Sequence, residues 1–353
     1  MSNNSNSYHQ QLYIDYTMRL REILKTLPSF VKDYFRAIEP RTSAKTRISY
    51  AYDIRVFLKF LIESKPAYIN YETKDFEIED LEKIKAVDIE EYLDYLKVYK
   101  DDNNKQIINN ERGLARKFSA LRSFYAYYYK RERIAHNPTV LVDMPKLHEK
   151  SIVRLDSDEI VQLLNHIEHG GKDLKGQRKV YYEKTKHRDL AIITLLLGTG
   201  IRISECVGLD LLDVDFKNNG IKVVRKGGNE MVVYFGEEVE QALKTYIFGE
   251  RNATMPLAGH ENALFLSSQR RRMGVQAMEN MVKKYSKEVI PGKKITPHKL
   301  RSTYGTELYK ETGDIYLVAD VLGHKDVNTT KKHYADIDES RRRKAASAVR
   351  LRD

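Results

Sequence analysis

Cysteine is almost absent from this chain of 353 residues, in which Cys206 is the single one. One cysteine excludes an internal disulfide and a zinc site built from several cysteines. Because Cys206 lies in an apolar stretch, we expect it to be a small buried hydrophobic side chain. The chain also lacks any run of about eighteen apolar residues, so it predicts no membrane-spanning helix.

The amino-terminal stretch lacks the features of an export signal. Residues 1–11 are rich in Asn and Ser and contain no apolar segment, so we predict a disordered tail there. No repeat and no low-complexity tract interrupts the second half of the chain. We expect a cytoplasmic protein.

Positive charge is what the chain has in excess. It contains 61 Lys and Arg against 50 Asp and Glu, a formal net charge of +11. Both halves are basic, which argues against an acidic regulatory module in either. The balance favours a polyanionic partner, nucleic acid before a membrane surface.

The first half is predicted to be helical over residues 12–138. Apolar residues at helical spacing predict helices over 12–27 and 29–38, a longer helix that Ser43 caps, and a helix over 87–99. Residues 71–84 are predicted to be a solvated surface segment. Residues 109–130 combine an apolar stripe with cations, which is typical of a solvated helix face and is also compatible with a DNA-contacting edge.

A linker over residues 139–155 is predicted to precede a second domain. Asn137-Pro138 ends the helical region, and Asp156 with Glu159 resembles a capping box that begins the next helix. A buried helix is expected up to Gly198-Thr-Gly200, then a helix near Ser204. Two β-strands should flank a turn at residues 226–229. Helices are predicted over 237–248, 274–286, 298–312, 315–322 and from 329, and residues 170–188 are predicted to be an exposed loop.

Six polar residues in this second half could together perform chemistry on a phosphodiester. They are Arg202, Lys226, His298, Arg301, His324 and Tyr334. Two guanidinium groups suit the non-bridging oxygens, a phenol could attack the phosphorus, and a lysine could protonate the leaving oxygen. Taken singly, each has an ordinary structural interpretation, and Tyr334 is one of 24 tyrosines.

In this order, the motifs resemble those of the tyrosine recombinase (phage integrase) family. The match comprises Arg202 followed by Ser-Glu205, Lys226 in a hairpin turn, His298-x-x-Arg301, Leu-Gly-His324 and Tyr334 near the end. The segment 118–125, Phe-Ser-Ala-Leu-Arg-Ser-Phe-Tyr, also resembles the family's helical domain. In length and style the chain is most similar to Xer-type members.

The resemblance implies a mainly α (α+β) protein. We predict a disordered tail over 1–11, an all-helical SAM-like core DNA-binding domain over 12–138, the linker over 139–155, a mainly helical catalytic domain with a small antiparallel β-sheet over 156–340, and a basic tail over 341–353. Tyr334 would form a 3′-phosphotyrosyl intermediate without metal or ATP, and Glu205 would support Arg202. The candidates for DNA contact are Lys45, Thr46, Arg47, Arg112, Arg116, Lys117 and Arg122.

The resemblance also implies a homotetramer on two double-stranded DNA sites, which exchanges strands through a Holliday junction. The basic tail would dock onto a neighbouring subunit, or would simply be solvated. The biological setting would be chromosome dimer resolution, and so chromosome partition in cell division, or integration and excision of a mobile element.

Two positions depart from the family pattern. Arg225 stands where Gly is frequent before the hairpin lysine, and Glu230 stands where a basic residue is common. These departures make Lys222 a second candidate for the acid. Two alternative functions share part of the pattern: a type IB topoisomerase, and a DNA-binding protein without catalysis.

Overall fold

The chain forms two compact units that divide after Lys150. The structure is a computed structural model, and it describes residues 7–148, 153–225, 227–323 and 327. Most of the described residues are helical, and two small antiparallel sheets accompany the helices. Within these ranges, no helix combines the length and the apolar character that a membrane span requires.

The amino-terminal unit contains six α-helices and one hairpin within its described residues. They are α1 (Tyr8–Leu24), α2 (Val31–Ile38), α3 (Ala44–Ser64), α4 (Ile78–Glu82), α5 (Ala86–Tyr95), β1 (Val98–Lys100), β2 (Gln106–Ile108) and α6 (Glu111–Tyr129). The Ser43 side chain accepts a hydrogen bond from the backbone N–H of Thr46, which confirms the predicted cap of α3. The mainly helical architecture agrees with the prediction.

Three local features of this unit differ from the prediction. Residues 71–84, predicted to be a solvated surface segment, include α4, and the apolar side chains between their acidic residues, among them Phe76 and Leu81, are buried in the core. Helix α1 begins at Tyr8, inside the stretch predicted to be disordered, because Ser7 and Gln10 form a reciprocal capping box. The helix predicted over 87–99 ends at Tyr95, and the hairpin β1–β2 follows. The turn between β1 and β2 is stabilised by the Asp101 carboxylate, which accepts hydrogen bonds from the backbone N–H groups of Asn103 and Lys105. A periodicity of apolar residues does not reveal such a side-chain-closed turn.

Aromatic side chains fill the core of the amino-terminal unit. Phe118, Phe124 and Tyr125 of α6 are each fully buried. The ring of Phe124 meets that of Tyr128 edge to face at a centroid distance of 5.1 Å, a favourable arrangement for aromatic quadrupoles. The segment 118–125 is therefore the central packing surface of this unit.

A buried carboxylate joins α3 to α6 in the same unit. Asp53 accepts hydrogen bonds from Arg116 at 2.5 and 2.9 Å and from the Nζ of Lys117 at 3.1 Å. The side chains of Asp53 and Lys117 are only 3% and 9% exposed. Because both charges are out of water, each depends on the other for compensation.

The carboxyl-terminal unit is a layered arrangement of helices beside a three-stranded sheet. Its elements are α7 (Ser157–His169), α8 (Gly176–Glu183), α9 (Lys186–Thr199), α10 (Ile203–Gly208), β3 (Val214–Asp215), β4 (Gly220–Val224), β5 (Glu230–Tyr234), α11 (Glu237–Tyr246), α12 (Val275–Val289), α13 (Pro297–Thr312) and α14 (Ile315–Leu322). The Asp156–Glu159 capping box at α7 and the hairpin β4–β5, with Val224 opposite Glu230, confirm two predictions. Helix α8 lies within the predicted loop 170–188.

Helix α9 is the centre of this unit. It packs against α7, α11 and α13, and its apolar residues between Ala191 and Leu196 are buried. At its beginning, Asp189 accepts from Arg188 and from the Tyr285 hydroxyl at 3.0 Å, and this bond ties α9 to α12. Cys206 in α10 is fully buried, as expected, and burial raises the pKa of its thiol. The carbonyl of Gly200, directly after α9, accepts from Arg301 of α13, so the end of α9 is joined to the helix that carries His298 and Arg301.

Replacing Asp53 by Ala is expected to destabilise the amino-terminal unit by about 3–5 kcal/mol, because it leaves the ammonium of Lys117 buried without compensation. Asp102→Ala is the matched control. Its carboxylate bridges Arg55 and Lys59 but is 45% exposed, so about 0–1 kcal/mol is expected. Denaturant unfolding followed by circular dichroism measures both losses. Equal losses for the two variants would contradict the structural role of Asp53.

Candidate active site

The first candidate, Arg202, lies between two helices of the carboxyl-terminal unit. Helix α9 is capped at its carboxyl end by Gly200, whose φ of 62° is in the left-handed region, and Arg202 is the N-cap of α10. Glu205 fixes Arg202 twice, since its carboxylate accepts from the backbone N–H and from Nη1, each at 2.8 Å. Glu205 is buried, so this carboxylate holds a defined position. The predicted pairing of these two side chains is present.

The second arginine approaches the same region from α13. Arg301 is 5% exposed, and its guanidinium donates to the backbone carbonyls of Gly200 and Leu322. His298 lies three residues earlier, in the first turn of the same helix, where its side chain is exposed. The spacing of three residues therefore falls within one continuous helix, as expected.

Three arginines converge on the carboxyl end of α14. Arg225 donates to the carbonyl of Val321 at 2.7 Å, Arg301 donates to that of Leu322, and Arg202 donates to that of Gly323 at 3.1 Å. The last carbonyls of a helix have no partner within the helix and carry partial negative charge. Donors from three separate segments therefore satisfy consecutive carbonyls.

Two carboxylates act on this arginine cluster (Arg202, Arg225 and Arg301): Glu205 pairs with Arg202, and Asp320 lies close enough to Arg225 to affect its pKa. Burial lowers the pKa of the Arg225 guanidinium, and the nearby charge of Arg202 lowers it further, while Glu205 and Asp320 oppose the shift. Because backbone carbonyls carry no net charge, bonding to them leaves each guanidinium cationic. The arrangement is suited to an anion with several oxygens, such as a phosphodiester.

The structure thus brings together Arg202, Glu205 and Arg301 among the predicted residues. Lys226, His324 and Tyr334 lie outside the described residues. Lys222, the second candidate for the acid, is exposed on β4. Its Nζ lies 4.0 Å from Asp213 and 3.6 Å from Glu230. These two carboxylates disfavour a phosphate beside Lys222.

Arg225 is the member of the cluster that motif reasoning did not select. In the sequence it is noticeable only as a departure from the family pattern before Lys226. Its contact with Val321 joins positions 96 residues apart. No local pattern signals that contact, although the accumulation of cations at 225 and 226 is visible.

The seven candidates for DNA contact have different surroundings in the amino-terminal unit. Lys45, Arg112 and Arg116 are exposed, and Thr46 is half-buried. Arg47 and Lys117 are buried, and they pair with Glu39 and Asp53, respectively. Arg122 is half-buried; its Nε donates to the carbonyl of Thr139 at 3.2 Å, and its guanidinium lies over the Phe118 ring.

Family models match both halves of the chain. Residues 153–341 match the phage integrase family, and residues 29–132 match the phage integrase N-terminal SAM-like domain. The chain is 32% identical over 323 residues to tyrosine recombinase XerC of Caldanaerobacter subterraneus subsp. tengcongensis, covering 89% of this chain and 84% of the relative. It is 30% identical over 272 residues to tyrosine recombinase XerD of Staphylococcus epidermidis, covering 73% and 88%, respectively.

Solved structures show a similar fold. The XerH site-specific recombinase in a post-cleavage complex with palindromic difH substrate superposes with a TM-score of 0.60 at 17% identity, covering 95% of each chain. The Tn1549 transposon integrase in complex with transposon right end DNA gives a TM-score of 0.60 at 23% identity, covering 90% of this chain and 98% of the other.

Gly200→Ala is expected to destabilise the carboxyl-terminal unit through both backbone and packing. A left-handed residue with a Cβ costs about 1–2 kcal/mol. In addition, the new methyl group would overlap the Tyr304 ring and come within 2.9 Å of Leu322. Overpacking adds about 1–3 kcal/mol.

Gly176→Ala is the control, because Gly176 has a φ of 56° and open space where a Cβ would lie. It should lose the backbone cost alone. Thermal unfolding followed by circular dichroism compares the two variants, and an equal loss would show that the packing of Gly200 against α13 and α14 is unimportant.

Proposed function

Since the chain belongs to the phage integrase family and is a Xer-like site-specific tyrosine recombinase, we propose that it cleaves and rejoins DNA through a covalent link to Tyr334. The observation that carries this mechanism is the convergence of Arg202 and Arg301 on the carboxyl end of α14. The motif Leu-Gly-His324, which precedes Tyr334 in the sequence, begins at this helix end. Two guanidiniums at one place suit the non-bridging oxygens of a phosphate during phosphoryl transfer.

In the cleavage step, the Tyr334 oxygen attacks the phosphorus while the bond from phosphorus to the 5′ oxygen breaks. The 3′ phosphate is left on the tyrosine, and the 5′ oxygen takes up a proton, which we assign to Lys226. His298 is assigned to the proton of the attacking phenol, and His324 to a hydrogen bond with the phosphate. Because the phosphodiester energy is kept in the covalent link, attack by a 5′ hydroxyl reverses the step without ATP.

Direct DNA contacts in the amino-terminal unit are assigned to its accessible candidates. Lys45 and Arg112 are exposed, and Thr46 is half-buried beside the cap of α3. Arg47, Lys117 and the exposed Arg116 remain weaker candidates, since Arg47 already faces Glu39 and the other two already face Asp53. Contacts of this kind neutralise phosphates, so the binding constant should fall steeply as salt concentration rises.

The finer features of the reaction follow the same proposal. Four copies would assemble on two DNA sites and exchange strands in pairs through a Holliday junction. The basic tail over 341–353, which lies outside the described residues, would dock onto an adjoining copy. Recombination would take place in the cytoplasm, either in chromosome dimer resolution or in mobile-element integration.

Tyr334→Phe tests the nucleophile. A phenylalanine ring has no oxygen to attack phosphorus, so a nicked suicide DNA substrate should give no covalent adduct detectable by denaturing electrophoresis. DNA binding, measured by gel shift at fixed salt, should stay within about two-fold, because one hydroxyl contributes little to a phosphate-dominated affinity. Another tyrosine, Tyr316, is 72% exposed on α14, and Tyr316→Phe serves as the control that should retain the adduct. An adduct that persists in Tyr334→Phe would move the nucleophile elsewhere.

Replacing the leaving 5′ oxygen of the substrate by sulfur tests the acid. A thiol has a pKa of about 8.5 and leaves as thiolate without a proton. Lys226→Ala should therefore lose about 10²–10⁴-fold in cleavage of the oxygen substrate, as expected for general acid catalysis, and little with sulfur.

Lys222→Ala is the competing variant in the same assay. Because the Lys222 ammonium already faces Asp213 and Glu230, its removal should change cleavage of both substrates by only a few-fold. A loss confined to Lys222→Ala, and corrected by sulfur, would transfer the acid to that residue.

A further inference from the structure

The surroundings of Arg225 are unusual for an arginine at the end of a strand. Its Nη2 donates to the carbonyl of Val321 at 2.7 Å, while Nε and Nη1 are buried without a hydrogen-bond partner among the described residues. Buried donors that lack an acceptor each cost about 1–3 kcal/mol. The arginine is also close enough to Arg202 for their charges to repel.

The main chain of Arg225 organises the connection between β4 and β5. Its N–H donates to the carbonyl of Asn229 at 2.8 Å, and its own carbonyl accepts from Gly228 at 3.0 Å. Gly227 and Gly228 have φ values of 106° and 87°, which few residues other than glycine adopt. Two consecutive glycines make the connection easy to deform, so its position depends on what holds its ends.

The side chain of Arg225 attaches the hairpin to another part of the unit, the end of α14. Its guanidinium lies directly against Gly323, where it fills the space that a side chain at that position would occupy. One residue thus closes the hairpin turn with its backbone and contacts the end of α14 with its side chain. The next two carbonyls after that of Val321, those of Leu322 and Gly323, accept from Arg301 and Arg202, respectively.

Direct contact between Arg225 and a DNA phosphate is the simpler alternative. The burial of Nε and Nη1 argues against it, because an anion cannot reach donors that have almost no exposed surface. The one paired donor, Nη2, is already committed to Val321. The geometry therefore favours a residue that acts through its neighbours.

We propose that Arg225 is a positioning residue, which holds the β4–β5 turn at a set distance from the arginines of the active site. The inference rests on the proposed function, in which the residue after Arg225 protonates the leaving 5′ oxygen. Misplacing an acid by about 1 Å can cost about 10²-fold in rate. Arg225 would thus matter for departure of the 5′ oxygen and not for binding of DNA.

The test measures covalent adduct formation by Arg225→Ala, Arg225→Lys and a control, Lys217→Ala, on suicide substrates with a 5′ oxygen or a 5′ sulfur. Lys217 is an exposed cation of the β3–β4 connection, so its removal alters the charge near the same sheet without touching α14. Gel-shift affinity and the melting temperature are recorded for each full-length variant. Lys226→Ala provides the reference for loss of the acid.

Arg225→Ala is expected to cleave the oxygen substrate about 10–10²-fold more slowly and the sulfur substrate within about three-fold of wild type. Arg225→Lys, which can still donate to Val321, should recover part of the loss with oxygen and allows the test if the alanine variant fails to fold. The control should match wild type on both substrates, and all affinities should stay within about two-fold.

An equal defect of Arg225→Ala on both substrates would overturn the inference, because displaced phosphate-binding arginines would impair both reactions. The absence of any defect would also overturn it. If sulfur rescues Lys226→Ala but not Arg225→Ala, the inference fails while the proposed acid stands. If sulfur rescues Arg225→Ala but not Lys226→Ala, Arg225 positions an acid other than Lys226, and it is that part of the proposed function which fails.

Discussion

The carboxyl end of α14 is the point on which the candidate site depends. Three consecutive carbonyls there accept hydrogen bonds from Arg202, Arg225 and Arg301, which come from the start of α10, the end of β4 and α13. Each of these segments is positioned by different packing, and side-chain hydrogen bonds join all three of them to this helix end. A helix end suits the task because its carbonyls lack partners within the helix and carry partial negative charge.

Bonding to carbonyls has a consequence for the charge of the site. Asp53 of the amino-terminal unit shows the opposite case, since its carboxylate compensates Arg116 and Lys117, and those cations serve the fold. In the arginine cluster, the buried carboxylate of Glu205 bonds to Arg202, and backbone carbonyls at the end of α14 bond to all three members. The guanidiniums are held in place but remain cationic. A preorganised site of this kind needs little rearrangement when an anion arrives.

Much of the fold could be predicted because the signals are local. Capping residues such as Ser43 and Asp156, the spacing of apolar residues along α9, and the alternation around the β4–β5 turn each report on structure within a few residues. The hairpin β1–β2 was missed because it follows α5 with no break in the apolar pattern and is closed by the Asp101 side chain. The burial of Lys117 was missed for a related reason. Helical spacing shows which face of the helix a lysine occupies, but it does not show whether a carboxylate from another helix packs against that face.

The residues of the candidate site also fall into two groups, those with a signal in the sequence and those that only tertiary contacts reveal. Arg202, Glu205 and Arg301 could be selected from the sequence because their order matches a family pattern, and local geometry such as the Arg202–Glu205 capping box follows from a spacing of three residues. Arg225 could be noticed only as a deviation, and its meaning depends on a contact with Val321 that tertiary structure alone provides. The deviation and the contact explain each other: an arginine before a turn of two glycines restores, through α14, a constraint that the glycines remove. The departure from the family pattern at Arg225 thus creates a contact with α14, and it is compatible with an active role for the neighbouring Lys226.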